Sequence, residues 1–280
     1  MRFRLKTGWK FAQDLSAELK KDRVGLISAG IAFYGLLSIF PAIAAIMAIG
    51  GLMTEPAALV GEMQKLGSVL PVEASSIIID QATEIAGSQN GGLGLAAGIG
   101  ILVSIYAASK AVGALIEGLH IAAGETDQRG FLASTLFVLA MTFFVIALAV
   151  LALVSTVFVP AVFAALKVEG FFAIIIGTLR WPIVGVATAL GLGAFYRLTL
   201  RHRVSGALWF TPGALLATLL WLAGSIAFSI YVREFAGYNK TFGTLGGVVS
   251  LLMWMWLSSF IVLLGKEVDV MIGERQNRPD

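Results

Sequence analysis

The chain has 280 residues, of which 58% are hydrophobic and 13% are charged, and its formal net charge is +3 at pH 7. Soluble globular domains carry about 25% charged residues, so this composition excludes a protein that is solvated on all sides. The chain has no cysteine, which excludes disulfides and thiolate metal sites. The positive charge does not indicate nucleic-acid binding, because the distribution of lysine and arginine along the chain is explained by the orientation of a membrane protein.

Six apolar stretches are long enough to cross a bilayer. At 1.5 Å per residue each can span a hydrocarbon core of about 30 Å as a helix, and the alternation typical of barrel strands of about 10 residues is absent. The sequence therefore predicts an all-α, polytopic membrane protein with a single membrane domain over 1–280. The predicted transmembrane helices are 24–50, 93–115, 131–159, 174–197, 207–230 and 244–265.

The segments outside these spans differ in character. Segment 1–23 mixes aromatic and basic residues, which favours an amphipathic helix in the cytoplasmic interface. Segment 51–92 contains two pieces that each begin beside a proline and show apolar residues at helical spacing, which predicts a helical outer cap. Segment 266–280 is predicted as a cytoplasmic tail. A cleaved signal peptide is the alternative for the first span, but the apolar run exceeds the roughly 7–15 residues of a signal core.

The distribution of lysine and arginine predicts the orientation. With both termini in the cytoplasm, 15 of the 20 basic residues fall on the cytoplasmic side. This asymmetry follows the positive-inside rule for membrane proteins. The five on the outer side are Lys65, Lys167, Arg180, Arg233 and Lys240.

The first span contains a proline in the run GIAFYGLLSIFPAI. Pro41 removes one helical hydrogen bond and clashes with the carbonyl of Leu37, so the sequence predicts a helix kink there. The hydroxyl of Ser38, three residues earlier, is expected to help satisfy the disturbed backbone.

Small residues recur every four positions in two spans. Gly94 and Gly98 form one pair, and Gly185, Ala189 and Gly193 form a longer series. Such stripes allow helices to approach closely in lipid. A hinge for a conformational change is the alternative.

Several motifs resemble the YihY/BrkB family of bacterial inner-membrane proteins. The run GIAFYGLLSIFPAI is similar to the first-helix signature of that family. The Tyr-Arg of GAFYRL, the Pro-Gly-Ala before the fifth span, and the runs FGTLGG and LLGKEVD are similar to later family elements. The resemblance extends over about 22–269. Phe242 stands where the family usually has tyrosine, and Val268 where leucine is usual.

Members of that family carry names that range from ribonuclease to virulence factor. A metal-dependent nuclease needs several carboxylates or histidines around its cations, and the two histidines, His120 and His202, lie outside any metal-ligand spacing motif. We read both as loop residues. The sequence therefore predicts no catalytic residues, no metal, no cofactor and no enzymatic activity.

Ionisable residues within apolar spans are costly and are the best indicators of a site. Tyr106, Lys110 and Glu117 share one face of the second predicted helix, so Lys110 either extends to the interface or lines a polar cavity with Glu117. Arg180 lies at the outer end of the fourth span, either as an interfacial anchor or as an anion-attracting site. Glu267 closes the sixth helix and is expected to meet Lys110 or Arg197.

Two classes of function fit these features. The first is a transporter or flippase-like protein for an amphiphilic or anionic envelope-related solute, with membrane lipids as partners. The alternative is a non-transporting membrane scaffold of an envelope assembly. No motif specifies the substrate, the energy source or the oligomeric state.

Overall fold

The structure is a computed structural model that describes residues 2–51, 79–80, 83, 93–165, 171–200, 211–242 and 244–276. Within these ranges the chain is helical and contains no strand, which confirms the predicted all-α class. The outer cap predicted over 51–92 lies almost entirely outside the described residues. The helices are α1 (Arg2–Lys21), α2 (Val24–Gly51), α3 (Leu93–Ala122), α4 (Phe131–Ala165), α5 (Phe171–Thr199), α6 (Pro212–Phe242) and α7 (Thr244–Gln276).

Five of these helices contain stretches long and apolar enough to cross a membrane. They are Val24–Ile43, Gly98–Ala122, Phe131–Ala149, Pro212–Val232 and Gly246–Glu274. The fourth predicted span, 174–197, falls within α5, whose side chains are described only from residue 185, so the count of six spans stays a prediction. Helix α7 continues to Gln276 through part of the predicted tail.

Helix boundaries follow from local sequence. Only Asp22 and Arg23 separate α1 from α2, and Arg23 adopts a left-handed conformation with φ 52°. Gly124, with φ 63°, ends α3 and donates its N–H to the carbonyl of Ile121, as glycine commonly does after a helix. The structure thus extends the second predicted span to Ala122.

The chain divides into two compact units. Unit 1 comprises Met1–Gly30, Gly113–Gly224 and Trp256–Asp280, and unit 2 comprises Ile31–Val112 and Ser225–Met255. Unit 2 contains a hydrophobic cluster around Leu36 and Leu251. Trp254 packs against this cluster, and its indole N–H donates to the hydroxyl of Ser225 at 3.4 Å.

The interior of unit 1 holds the start of α2 against α3 and α7. Leu119 and Leu263 are fully buried, and a methyl group at Gly118 would lie 2.9 Å from the Leu263 side chain. The indole N–H of Trp256 donates to the carbonyl of Gly25 at 2.9 Å. These contacts join the start of α2 and the end of α3 to α7, the helix that carries the buried ionisable residues described below.

Candidate functional site

The ionisable residues predicted on α3 lie at the surface. The Lys110 amine lies 5.3 Å from the centre of the Tyr106 ring, an arrangement typical of a cation–π contact. The Lys110 and Glu117 side chains are exposed, and Tyr106 is 63% exposed. Lys110 belongs to unit 2 and Glu117 to unit 1. A polar cavity lined by both residues stays a prediction.

The predicted kink residues are placed within a continuous helix. Pro41 lies inside α2. The hydroxyl of Ser38 donates to the carbonyl of Gly35 at 2.6 Å, and the carbonyl of Ser38 accepts a hydrogen bond from the Ser104 hydroxyl at 3.4 Å. Ser38 therefore bonds to the turn that precedes Pro41. The side chain of Arg180 lies outside those that the structure describes.

Glu267, in contrast, is part of a buried group of ionisable side chains. Lys266, Glu267 and Asp269 are each only 2% exposed, although they lie in a helix apolar enough to cross a membrane. Buried charges of this kind are found where partners compensate them. In unit 1, the residues near this buried group come from α1, α5, α6 and the loop after α3.

Asp269 binds the beginning of α6. Its Oδ1 accepts the N–H of Gly213 at 2.6 Å, and the Thr211 hydroxyl also hydrogen-bonds the carboxylate. Thr211 is the N-cap of α6, because its Oγ1 accepts the N–H of Ala214 at 3.0 Å. Pro212 follows at the first helical position, where its missing N–H costs nothing. The positive end of the α6 dipole stabilises the carboxylate of Asp269.

Helices α6 and α7 cross at two glycines. A methyl group on Gly213 would overlap the carbonyl oxygen of Gly265, and one on Gly265 would lie 2.6 Å from the carbonyl oxygen of Gly213. Tyr196 of α5, only 2% exposed, places its hydroxyl at the same crossing and donates to the carbonyl of Val262. The absence of side chains at both glycines is what lets Asp269 reach the start of α6.

The charged groups that act on Lys266 are acidic. The carboxylates of Asp269, Glu125 and Glu267 all attract its ammonium group. Glu125 lies just after α3, where its N–H donates to the carbonyl of His120 at 2.9 Å. The acids offset part of the cost of burying the Lys266 cation, and the cation does the same for them.

His120 lies in this region but not on a loop. It belongs to α3, is 8% exposed, and its Nε2 lies 3.2 Å from the carbonyl oxygen of Thr199. The reading of His120 as a loop residue is therefore wrong, because α3 continues past it. His202 lies outside the described residues.

Three polar atoms of this region are buried without a hydrogen-bond partner among the described residues. They are Oγ1 of Thr199, Oε1 of Glu267 and Oδ2 of Asp269. Buried polar atoms are normally satisfied, so these atoms offer unused capacity for a proton or a polar group. In the described part of the chain, no group of three or more His, Asp or Glu side chains has the arrangement of a metal site.

Two acidic side chains outside the spans, Asp127 and Glu18, accept hydrogen bonds from nearby residues. Burial tends to raise the pKa of Asp127, but the N–H of Arg129 and the hydroxyl of Ser134, each at 3.0 Å, bind the carboxylate and lower its pKa overall. The hydrogen bond from Lys21 to Glu18, at 2.7 Å, raises the pKa of Lys21.

Sequence reasoning identified Glu267 but missed Lys266, Asp269 and Tyr196. Lys266 and Asp269 were assigned to a tail because the apolar run was ended at residue 265. Their spacing of three residues, which places them on one helical face, is the signal that could have found them. Tyr196 is the tyrosine of the Tyr-Arg motif in GAFYRL, but the motif does not reveal its partner, a backbone carbonyl on another helix.

Comparisons with known proteins identify similar membrane proteins. A family model described as "Virulence factor BrkB" matches residues 15–280. The ribonuclease-like protein YfkH of Bacillus subtilis is 25% identical over 257 residues, 90% of this chain and 91% of its own length. A UPF0761 membrane protein of Klebsiella pneumoniae is 42% identical over 62 residues, 22% of each chain. The UPF0761 membrane protein VV0203 of Vibrio vulnificus is 22% identical over 284 residues, 98% of this chain and 86% of its own. No solved structure matches the chain significantly.

Proposed function

This chain belongs to the BrkB family of membrane proteins, and from that premise we propose that it is a transporter or flippase-like protein of the bacterial inner membrane. Family membership confirms the resemblance seen in the motifs. The observation that carries the proposal is the burial of Lys266, Glu267 and Asp269 in a helix apolar enough to span a membrane. Ionisable groups in such helices are expensive and typically mark paths for solutes, ions or protons.

The proposed solute is amphiphilic or anionic and belongs to the cell envelope. Two features support this class. The N-terminus of α6, where backbone N–H groups favour an anion, binds the carboxylate of Asp269, and the Lys266 ammonium is attracted by the same carboxylate. On α3, the exposed pair of Lys110 and Tyr106 suits the head group of an amphiphile at a membrane interface.

Transport can be tested with purified protein in liposomes that contain a fluorescent anionic phospholipid analogue. We expect the wild-type protein to move the analogue between leaflets, as measured by quenching from outside. Lys266→Met should slow this movement at least about tenfold, a change of about 1.4 kcal/mol in barrier, and Lys110→Met is the control for an exposed lysine. Movement by the wild type that Lys266→Met leaves unchanged would contradict the assigned site. No movement of any anionic or amphiphilic probe would favour the scaffold function.

The proposed role is not enzymatic, so the ribonuclease-like name of YfkH is not carried to this chain. We expect protein freed of contaminating ribonucleases to leave RNA intact with any divalent cation. RNA cleavage that His202→Ala abolishes would contradict this expectation.

Both termini are proposed to lie in the cytoplasm. Reporter fusions after Gly87, Gly124, Val168, Ser205 and Gly237 should report outside, inside, outside, inside and outside, and a C-terminal fusion should report inside. A periplasmic C-terminus would overturn the orientation and the six-span topology.

A further inference from the structure

The turn between α1 and α2 places basic side chains at the start of an apolar helix. Arg23 donates its N–H to the carbonyl of Lys20 at 3.2 Å, and its own carbonyl accepts the N–H groups of Leu26 and Ile27 at 2.9 and 3.1 Å. Arg23 adopts a left-handed conformation, with φ 52°, that non-glycine residues rarely take. These bonds fix Arg23 directly before the apolar stretch Val24–Ile43. When that stretch crosses a bilayer, the Arg23 side chain is within reach of the lipid head groups.

Two basic side chains of this turn lie at the surface. Lys20 and Arg23 are exposed, and neither side chain has an ion-pair partner among the described residues. Lys21 differs from them, because its amine lies 2.7 Å from a carboxylate oxygen of Glu18. Asp22 is half-buried, and the first turn of α2 contains no acidic residue. The exposed surface of the turn therefore carries a surplus of positive charge.

Apolar side chains lie next to this basic surface. Leu26 is 68% exposed, and Ala29, three residues further along the same face of α2, is exposed as well. Trp256 of α7 is 38% exposed and lies beside the first turn of α2, where its indole N–H donates to the carbonyl of Gly25 at 2.9 Å. Its ring stacks on that of Phe260, with 5.3 Å between the ring centres. The hydrogen bond and the stacking hold an exposed aromatic surface in place.

We propose that Lys20, Arg23, Leu26 and Trp256 form a binding site for an anionic phospholipid. The phosphate of the lipid contacts the two cationic side chains, and the upper part of an acyl chain contacts Leu26 and the Trp256 ring. Arginine binds phosphate through parallel N–H donors, and lysine binds it as a point charge. Tryptophan, which is apolar with one polar end, is typical of the region between head groups and hydrocarbon. The positive end of the α2 dipole adds to the attraction for the phosphate.

The combination of a basic and an apolar surface favours this ligand over other occupants. A soluble anion would account for Lys20 and Arg23 but would leave Leu26 and Trp256 exposed. In a two-fold contact with a second copy, the same patch of both chains meets, so the basic side chains of one copy would face those of the other. An anionic phospholipid matches both surfaces, because its phosphate and its acyl chains are adjacent in one molecule. Lipid binding at this site goes beyond the proposed transport function and does not rest on it.

Fluorescence quenching by labelled lipids tests the site. The chain has no cysteine, so a fluorophore attached to Ala29→Cys reports only from the turn of α2 that follows Leu26. The full-length protein is placed in phosphatidylcholine liposomes that contain the same fraction of a nitroxide-labelled lipid, either phosphatidylglycerol or phosphatidylcholine. We expect the labelled phosphatidylglycerol to associate at least about fivefold more strongly, the factor that corresponds to one basic residue near an anionic head group.

Two outcomes of this measurement would overturn the proposal. Equal quenching by the two lipids would show that the site contacts only bulk lipid. A fluorophore that neither lipid quenches would show that protein, such as a second copy of the chain, covers this surface.

Charge variants of the same labelled protein test the two basic residues. Arg23→Gly together with Lys20→Gln removes both charges, and glycine tolerates the left-handed backbone at this position, so the turn is retained. We expect this double variant to bind the two lipids equally. Arg23→Lys together with Lys20→Arg keeps both charges and should keep the preference. A preference that survives removal of the charges, or that is lost when the charges are kept, would contradict the assigned residues.

Lys10→Gln is the matched control for the charge variants. Lys10 is an exposed lysine of the same helix, about 15 Å from Lys20 along α1 at 1.5 Å per residue. The preference should be unchanged in this variant. An equal loss would show that the overall charge of α1, and not this site, attracts the lipid. Thermal unfolding of each variant at the temperature of the wild type shows that it is folded.

These measurements do not depend on transport. A protein that moves no lipid analogue but prefers phosphatidylglycerol at this site retains the binding site and lacks the proposed transport function. A protein that moves the analogue without this preference retains transport and lacks the binding site.

Discussion

Helices α3 and α7 both carry ionisable residues within apolar sequence, yet their side chains occupy opposite environments. On α3, Lys110 and Glu117 are exposed, and the Lys110 amine contacts only an aromatic ring among the contacts described for it. On α7, Lys266 and Asp269 are 2% exposed; Asp269 accepts a hydrogen bond from Gly213 of another helix, and Lys266 is attracted by neighbouring carboxylates. An exposed charge keeps most of its solvation, whereas a buried one depends on its partners. Substituting the same residue type on α3 and on α7 should therefore change the stability of the protein by very different amounts.

The largest effect is expected from Lys266→Ala. The substitution removes the cation that attracts the buried carboxylate of Asp269, and leaving a buried charge without its compensating partner typically lowers the free energy of unfolding by about 3–5 kcal/mol. Lys110→Ala is the matched control and should change stability little. Thermal unfolding of both variants in the same detergent makes the comparison. Equal losses would show that the contrast between α3 and α7 does not govern stability.

Gly265→Ala should have the next largest effect. The added methyl would press on the carbonyl oxygen of Gly213 at 2.6 Å and on the Cβ of Ala217 at 2.7 Å. Overpacking of this kind costs about 1–3 kcal/mol. Gly273→Ala, on the same helix and with no atom within 4 Å of the new methyl, should be neutral or stabilising, because alanine favours helix. Similar unfolding temperatures for the two variants would argue against the close crossing of α6 and α7.

A smaller loss is expected from Tyr196→Phe. It removes the hydroxyl that donates to the carbonyl of Val262, and a typical hydrogen bond contributes about 1 kcal/mol. Tyr34→Phe, which changes a 38% exposed tyrosine in unit 2, is the control. Denaturant unfolding of both variants measures the difference. A Tyr196→Phe protein as stable as the control would mean that this hydroxyl adds nothing at the crossing.

The smallest effect is expected at Asp127. Its pKa is lowered in the folded state from an ordinary value of 3.8, so its contribution to stability is present above that value and is lost as the pH falls through the folded-state pKa. Asp127→Asn should be less stable than wild type near neutral pH and equal to it in strong acid. Ser134→Ala should reduce the same pH dependence. Thermal unfolding as a function of pH checks this, and a gap between wild type and Asp127→Asn that persists in acid would contradict it.

Much of the architecture could be predicted from the sequence. Runs of apolar residues and the quoted motifs predicted an all-α membrane protein of this family, and the family match and five apolar helices confirm that class. Glu267 was identified because an acid at the end of an apolar run is unusual. Lys266 and Asp269, one residue before and two after it, were assigned to a tail. The burial of Asp269 depends on Thr211 and Gly213, which are distant in sequence.

The small residues also show the difference between what the sequence predicts and what the tertiary structure decides. The stripes containing Gly98 and Gly185 predicted close helix packing, yet a methyl at either position would meet no described atom within 4 Å. A tight approach occurs at Gly213 and Gly265; Gly213 and Ala217 share the four-residue spacing of the predicted stripes, but nothing in the sequence indicates Gly265 as their partner. Spacing along one helix shows which residues share a face, but the partner helix decides whether that face is filled.

The sequence by itself determined that the chain forms long apolar helices, because only helices satisfy every backbone group within one segment in lipid. It did not determine which face of each helix turns inward. Helix α4, for example, contains no charged residue and is apolar on all sides, so no amphipathic pattern distinguishes a face toward lipid from one toward protein. The tertiary structure decided that Lys266, Glu267 and Asp269 are buried. The close crossing at Gly213 and Gly265 places the start of α6 within reach of Asp269.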